Sequence, residues 1–276
     1  MDFTTIDVER RGHVGLLWLD RPDKLNAFGP EMWDEVPLAV RSLDEDPDVR
    51  AIVVAGRGRA FTAGIDLAAY GPALGGGGAP SDPASSGVAA RLAFRQDVLR
   101  MQDTMSVFAD VDTPTIAAVH GWCLGAGMDL ITACDIRLAA ADARFGVRET
   151  RIAMAADVGT LQRLPRIIPA GHAAELIYTG KDIDADRSRE IGLVNAVHPD
   201  ADTVVAAAIA LAEDIAANSP LAVRGSKAVV RANDGRTVPE ALEWVALWNA
   251  AFIHSEDLTE AMASQLEGRD PEWHGR

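Results

Sequence analysis

Short apolar runs alternate with longer amphipathic stretches along the first part of the chain. Thr4 to Val8 and Val14 to Leu19 are brief β-prone runs with Arg11-Gly12 as a turn, which predicts a hairpin. Arg21-Pro22-Asp23 breaks the second run. After Pro30, apolar residues at Met32, Val36, Leu38 and Val40 predict a helix lasting to about Leu43. Ala51-Ile52-Val53-Val54-Ala55 is apolar without alternation, the mark of a strand buried on both faces. Thr115 to Val119 reads the same way and is closed by His120-Gly121. A helix from Gly125 to about Ala133 and a strand from Ile136 to Ala139 follow. Strands separated by helices predict a mainly parallel α/β arrangement.

Two regions depart from this pattern. Residues 71–87, dense in Gly, Pro and Ser, predict a segment without regular structure, either a surface loop or a lid over a site. A long helix then runs from about Val88 to Ala109. From Ala201 onward helical patterns dominate, at about 201–217, 220–233, 237–254 and 256–267. The chain therefore divides into an α/β core, residues 1–200, and a C-terminal helical region, residues 201–276.

Composition removes several classes of function. Hydrophobic residues at 48% and charged residues at 24% describe an ordinary globular chain. A net charge of −15 offers no basic field to nucleic acid or an anionic membrane, although a small phosphorylated ligand needs only a few local cations and amides. Cys123 and Cys134 form no CxxC, which fits a reducing compartment. Met1-Asp2-Phe3-Thr4-Thr5 lacks the character of a secretory signal, and the most apolar stretch, Thr115 to Cys134, contains His120 and Asp129. The expectation is a cytoplasmic protein that binds neither nucleic acid nor membrane.

The chemical motifs are as informative in absence as in presence. There is no G-x-S-x-G, HExxH or Walker A sequence, and Gly75–Gly78 lacks the strand–turn–helix setting of a dinucleotide site. The six histidines fall at no metal-ligand spacing, so no metal is expected. Carboxylates and backbone amides remain as catalytic material. Two glycine-containing turns supply the amides: Phe61-Thr62-Ala63-Gly64-Ile65-Asp66-Leu67, after the Ala51–Ala55 strand, and Gly121-Trp122-Cys123-Leu124-Gly125-Ala126-Gly127-Met128-Asp129-Leu130, which runs into a helix. Small residues let a ligand approach the backbone, and free N–H groups at a helix start favour a developing oxyanion.

These turns, with Leu19-Asp20-Arg21-Pro22-Asp23-Lys24-Leu25-Asn26-Ala27-Phe28, Ala117-Ala118-Val119-His120-Gly121 and Cys134-Asp135-Ile136-Arg137, resemble the crotonase, or enoyl-CoA hydratase/isomerase, superfamily over nearly the whole chain. The resemblance implies a ββα spiral core with C-terminal helices that fold over a neighbouring subunit, in a homotrimer or a dimer of trimers. It implies an acyl-CoA thioester as substrate, no separate cofactor, and two backbone N–H groups that hold the thioester oxygen. Carried onto this chain these are the amides of Ile65 and Ala126; most members have glycine at the second. It also implies coenzyme A contacts, with backbone near Arg21–Ala27 and Ala63–Leu67 cradling the adenine, along Lys24, Asn26, Ala63, Gly64, Ile65, Asp66, Leu67, Gly125 and Ala126; Lys24 reads equally as a phosphate neighbour or a solvated lysine. Trp244 and Trp248, four apart, read instead as core or subunit contacts.

Three carboxylates refine the expectation. Asp129 lies one turn into the helix, Glu149 in Phe145-Gly146-Val147-Arg148-Glu149, and Asp157 in Ala155-Ala156-Asp157-Val158-Gly159-Thr160-Leu161-Gln162-Arg163-Leu164-Pro165. The hydratases of the family carry two glutamates at the places of Asp129 and Glu149 and a small residue at that of Asp157. An aspartate, glutamate, aspartate order is similar to the branch that shifts 3,5-dienoyl-CoA to 2,4-dienoyl-CoA, as in fatty-acid breakdown, and Ser219-Pro220-Leu221-Ala222-Val223-Arg224-Gly225-Ser226-Lys227 points the same way. Moving two double bonds needs a proton taken at C2 and one given at C6, which one carboxyl can hardly reach together. The expectation is Glu149 as base, Asp157 as acid and Asp129 as tuning partner. Each acid also has a structural use: Asp129 as a first-turn acid, Asp157 as an N-cap for a helix starting near Val158. Two other readings are 2-enoyl-CoA hydration by Asp129 and Glu149, where the shorter aspartate reaches water less well, and a non-catalytic RNA-binding relative, against which the −15 charge weighs.

Overall fold

The computed structural model describes residues 2–74 and 87–276. The chain opens with a hairpin of β1 (Ile6–Arg11) and β2 (Val14–Leu19), then α1 (Pro30–Glu45), β3 (Ala51–Gly56), α2 (Leu67–Leu74), α3 (Val88–Asp110) and β4 (Thr115–Val119). Next come β5 (Trp122–Leu124), α4 (Ala126–Ala133), β6 (Ile136–Ala140), β7 (Arg144–Gly146), α5 (Thr160–Ile167), α6 (Ala170–Thr179), β8 (Ile183–Asp184), α7 (Ala185–Glu190) and β9 (Ala196–His198). Four helices end it: α8 (Ala201–Ala216), α9 (Pro220–Ala232), α10 (Val238–Phe252) and α11 (Glu256–Glu267). Six strands form the main sheet in the order β1-β2-β3-β4-β6-β9, and β5, β7 and β8 form a small second sheet. Only the β1–β2 pair of the main sheet is antiparallel. Arg11 pairs with Val14, so the hairpin loop is Gly12-His13, one residue later than the sequence suggests.

The lack of alternation in the central strands has a direct cause. Ile52 and Val54 of β3 join one core with α1, α3 and α4, while Ala51, Val53 and Ala55 join a second core on the opposite face. That second core is closed by Val204, Ala208 and Ala212, one helical turn apart on α8. Helix α8 thus covers the sheet, and a division of the chain at residue 200 separates that helix from the strands it shields. By contrast no residue of α10 is buried, although Val238, Leu242, Leu247 and Phe252 lie along it. Its Trp244 and Trp248 rings stack at 5.7 Å between centroids, so they are not core residues of this chain.

Helix α2 corrects one expectation. Residues 71–74, read as irregular from Gly71 and Pro72, continue that helix. The Gly- and Ser-rich remainder, 75–86, on which the lid reading rests, lies outside the described residues. Sequence periodicity also missed the small sheet. Its strands are two or three residues long, too short for an alternation to register.

Candidate active site

The small sheet and the first glycine turn are laced together by main-chain bonds. Thr62 N–H donates to the Trp122 carbonyl at 2.8 Å, Leu124 N–H donates to the Thr62 carbonyl at 3.2 Å, and Phe28 N–H donates to the Gly64 carbonyl at 2.8 Å. This sets Gly64 flat against Leu124–Ala126. A Cβ on Gly64 would come within 2.8 Å of the Leu124 carbonyl, and its φ of +93° is itself suited to glycine. Gly125 is equally constrained. Its φ of +51° with ψ of −113° is a backbone conformation that L-residues avoid, and a Cβ there would sit 2.8 Å from Glu149 Oε1. Among the described residues neither Ile65 N–H nor Ala126 N–H has an acceptor. Ala126 is the first residue of α4, where an N–H has no partner within its own helix. The two amides flank one cavity of about 500 Å³.

The same cavity is lined by Asp129, Glu149 and Asp157. Asp129 stands in the first turn of α4 and is 2% exposed. Glu149 follows β7, which is held to the α4 start because Gly125 N–H donates to the Gly146 carbonyl at 3.0 Å. Asp157 lies in the link to α5, and its carbonyl accepts from Gln102 Nε2 of α3 at 2.6 Å. It does not cap α5, which starts at Thr160 with Gly159 as its N-cap.

Electrostatics separates the three acids. Burial pushes Glu149 up to about 7, with the neighbouring Asp129 charge adding to it, and its Oε2 is buried without a hydrogen-bond partner. Burial also pushes Asp129 up to about 6, opposed by the Thr160 N–H that donates to its Oδ1 at 2.6 Å and by the Arg163 charge. Asp157 is raised by burial too, and is only partly enclosed. A raised carboxyl pKa near 7 is the condition for exchanging protons in neutral water.

Of the expected coenzyme A contacts, Ala63, Gly64, Ile65, Leu67, Gly125 and Ala126 line the cavity. The other three side chains sit elsewhere. Asn26 is fully buried, and both its N–H donors are engaged by the Arg57 and Ala60 carbonyls at 2.9 and 2.8 Å. It staples the loop after β2 to the loop after β3. Asp66 accepts from Ala68 and Ala69 N–H at the start of α2 and pairs with Arg21 at 3.1 Å. Burial opposes its ionisation, but those donors win and its pKa is lowered. Lys24 is exposed at the end of a 3-10 turn, Pro22–Lys24, and is not part of the cavity wall. Sequence reading missed the apolar wall supplied by Phe94, Val98 and Met101 of α3, with Trp33 and Leu124. Their signal was present: Phe94, Val98 and Met101 recur at helical spacing. His120, 3% exposed, bonds the Gly58 carbonyl through Nε2 at 3.0 Å as a turn residue, and among the described residues no cluster of His, Cys, Asp and Glu is arranged for a metal.

Residues 9–276 match the family described as Enoyl-CoA hydratase/isomerase. The mitochondrial Delta(3,5)-Delta(2,4)-dienoyl-CoA isomerase of Dictyostelium discoideum is 39% identical over 94% of this chain and 86% of that protein. A probable enoyl-CoA hydratase of Mycobacterium tuberculosis is 36% identical over the full length of both. The crystal structure of an enoyl-CoA hydratase from Bacillus anthracis superposes with a TM-score of 0.87 at 32% identity, covering 99% of this chain and 100% of that one.

Proposed function

Because the chain belongs to the enoyl-CoA hydratase/isomerase family, we propose that it converts 3,5-dienoyl-CoA thioesters into 2,4-dienoyl-CoA thioesters. The observation that carries this reading is the convergence of Asp129, Glu149 and Asp157 on the cavity flanked by the Ile65 and Ala126 amides. In the reading, the thioester oxygen accepts from both amides. Glu149 takes the C2 proton, and the electron pair spreads as a dienolate whose oxygen those amides stabilise. One such donor contributes roughly 2.7–4 kcal/mol in the transition state. Asp157 then gives its proton to C6, the 2,4-diene forms, and solvent returns the proton from Glu149 to Asp157. The apolar wall from α3 keeps both carboxyls partly desolvated, which holds their pKa values up. No cofactor enters this cycle, and the coenzyme A thioester is the substrate.

Incubation with a 3,5-dienoyl-CoA should generate the conjugated 2,4-diene chromophore far faster than hydration of a 2-enoyl-CoA proceeds. The hydratase reading has its own support in the 36% identity to a probable hydratase and in the adjacency of Asp129 and Glu149. Faster hydration than isomerisation would establish it instead. We also propose a homotrimer or dimer of trimers, supported by the apolar side chains that α10 leaves uncovered. A monomeric mass by light scattering would remove that part.

A further inference from the structure

Helix α5 begins with an unusual piece of packing. Gly159 has φ of +135°, and a Cβ there would lie 1.9 Å from Nη1 of Arg163, so the guanidinium fills the space that a side chain would take. Arg163 Nη2 donates to Ser106 Oγ of α3 at 2.7 Å, which fixes the group. Its Nη1 is buried and has no hydrogen-bond partner. The next residue after Gly159, Thr160, is the one whose N–H donates to Asp129 Oδ1 at 2.6 Å. Asp129 therefore faces the N-terminal end of α5, where the guanidinium lodged over Gly159 adds a fixed positive charge that acts on it.

We infer that Arg163 is a positioning residue that keeps Asp129 ionised, so that Glu149 is the one of the two neighbouring carboxyls that takes up and releases a proton near neutrality. The inference rests on the proposed role of Glu149 as base. Titratable groups face this corner from several elements. Glu149 and Asp157 face Asp129 from the cavity, Cys123 lies beside it from β5, and Cys134 and Asp110 face Arg163 from the end of α4 and from α3. Burial holds both thiols neutral, so they contribute no charge. The Thr160 N–H and, beside it, the Arg163 charge favour the anion of Asp129, whereas the charges acting on Glu149 are the carboxylates Asp129 and Asp157. Two close carboxyls titrate as a pair, and a cation on one side decides which of them ionises first. With Arg163 in place, Glu149 becomes a free base only after the second ionisation of the pair. Without it, Asp129 retains the proton and Glu149 is free after the first.

The test is the acid limb of kcat/KM against pH for turnover of a 3,5-dienoyl-CoA. Arg163→Met should move that limb to lower pH by on the order of one unit, whatever it does to the maximal rate. Arg163→Lys, which keeps the charge, should leave the limb within a few tenths of its original place. A limb that stays put in Arg163→Met, or that moves equally in Arg163→Lys, overturns the proposal, since a purely structural role lowers rate without moving the limb. A second measurement needs no Arg163 variant and no turnover. Carbon-13 carboxyl titration of the unliganded wild-type protein, assigned by loss of signal in Asp129→Asn, should show Asp129 ionising at lower pH than Glu149. The reverse order overturns the proposal. Absence of dienoyl-CoA turnover would instead strike the proposed activity, and the same carboxyl titration repeated in Arg163→Met, where the order of ionisation should reverse, would then decide the role of Arg163.

Discussion

Asp129 and Glu149 occupy a corner where every neighbour is fixed: the α4 start, the small sheet, and the N-terminal end of α5 all close on it. Asp157 occupies a looser region, a connecting segment tied to α3 through its own main chain, with its side chain partly open. In the first region burial and a neighbouring charge act together, and Glu149 is pushed up to about 7. In the second, burial alone raises the carboxyl. The difference shows how one cavity can hold two acids whose proton affinities are set by separate means, which a two-ended proton shift requires.

The largest expected effect breaks the two regions apart. Glu149→Gln should lower isomerisation by about 10²–10⁴-fold and abolish exchange of the C2 hydrogen with heavy water. Asp157→Asn should lower isomerisation comparably while leaving C2 exchange in place, because the corner that makes the dienolate is untouched. Loss of exchange in both variants, followed by NMR of the recovered thioester, would mean that the regions do not act separately.

A smaller effect probes the rigidity of the corner. Gly125→Ala places a methyl against Glu149 Oε1 and imposes a backbone conformation that L-residues avoid. A loss of about 1–3 kcal/mol in urea-induced unfolding is expected, together with reduced turnover. Wild-type stability in that variant would show that the corner can relax.

The smallest effect sharpens the electrostatic contrast. Glu149 and Asp129 have folded-state pKa values of about 7 and about 6, above their ordinary 4.5 and 3.8. The folded state therefore binds more protons than the unfolded one between roughly pH 4 and 7, and stability falls with rising pH over that window. Below it both states are protonated and the contribution is complete; above pH 7 it is lost. Glu149→Gln should flatten this decline, seen as a smaller drop in unfolding free energy between pH 5 and 8. Parallel curves for variant and wild type would contradict the burial of Glu149 as a charged group.

Much of the molecule was written into the order of its residues. The double-faced strands Ala51–Gly56 and Thr115–Val119 are continuous apolar runs, and covering them on both sides leaves α/β layering as the outcome. The two glycine turns were legible because Gly64 and Gly125 answer local backbone demands. What local sequence could not carry was which polar groups remain free. Asn26 and Asp66 stand inside motif segments yet are occupied by the Arg57, Ala60, Ala68 and Ala69 main-chain groups and by Arg21, partners 2 to 45 residues away. The apolar wall from α3 and the guanidinium lodged over Gly159 likewise exist only once distant elements close together. Periodicity and backbone preference act within a few residues and can be read there; desolvation and charge depend on what the folded chain brings alongside, and those were decided by the tertiary structure.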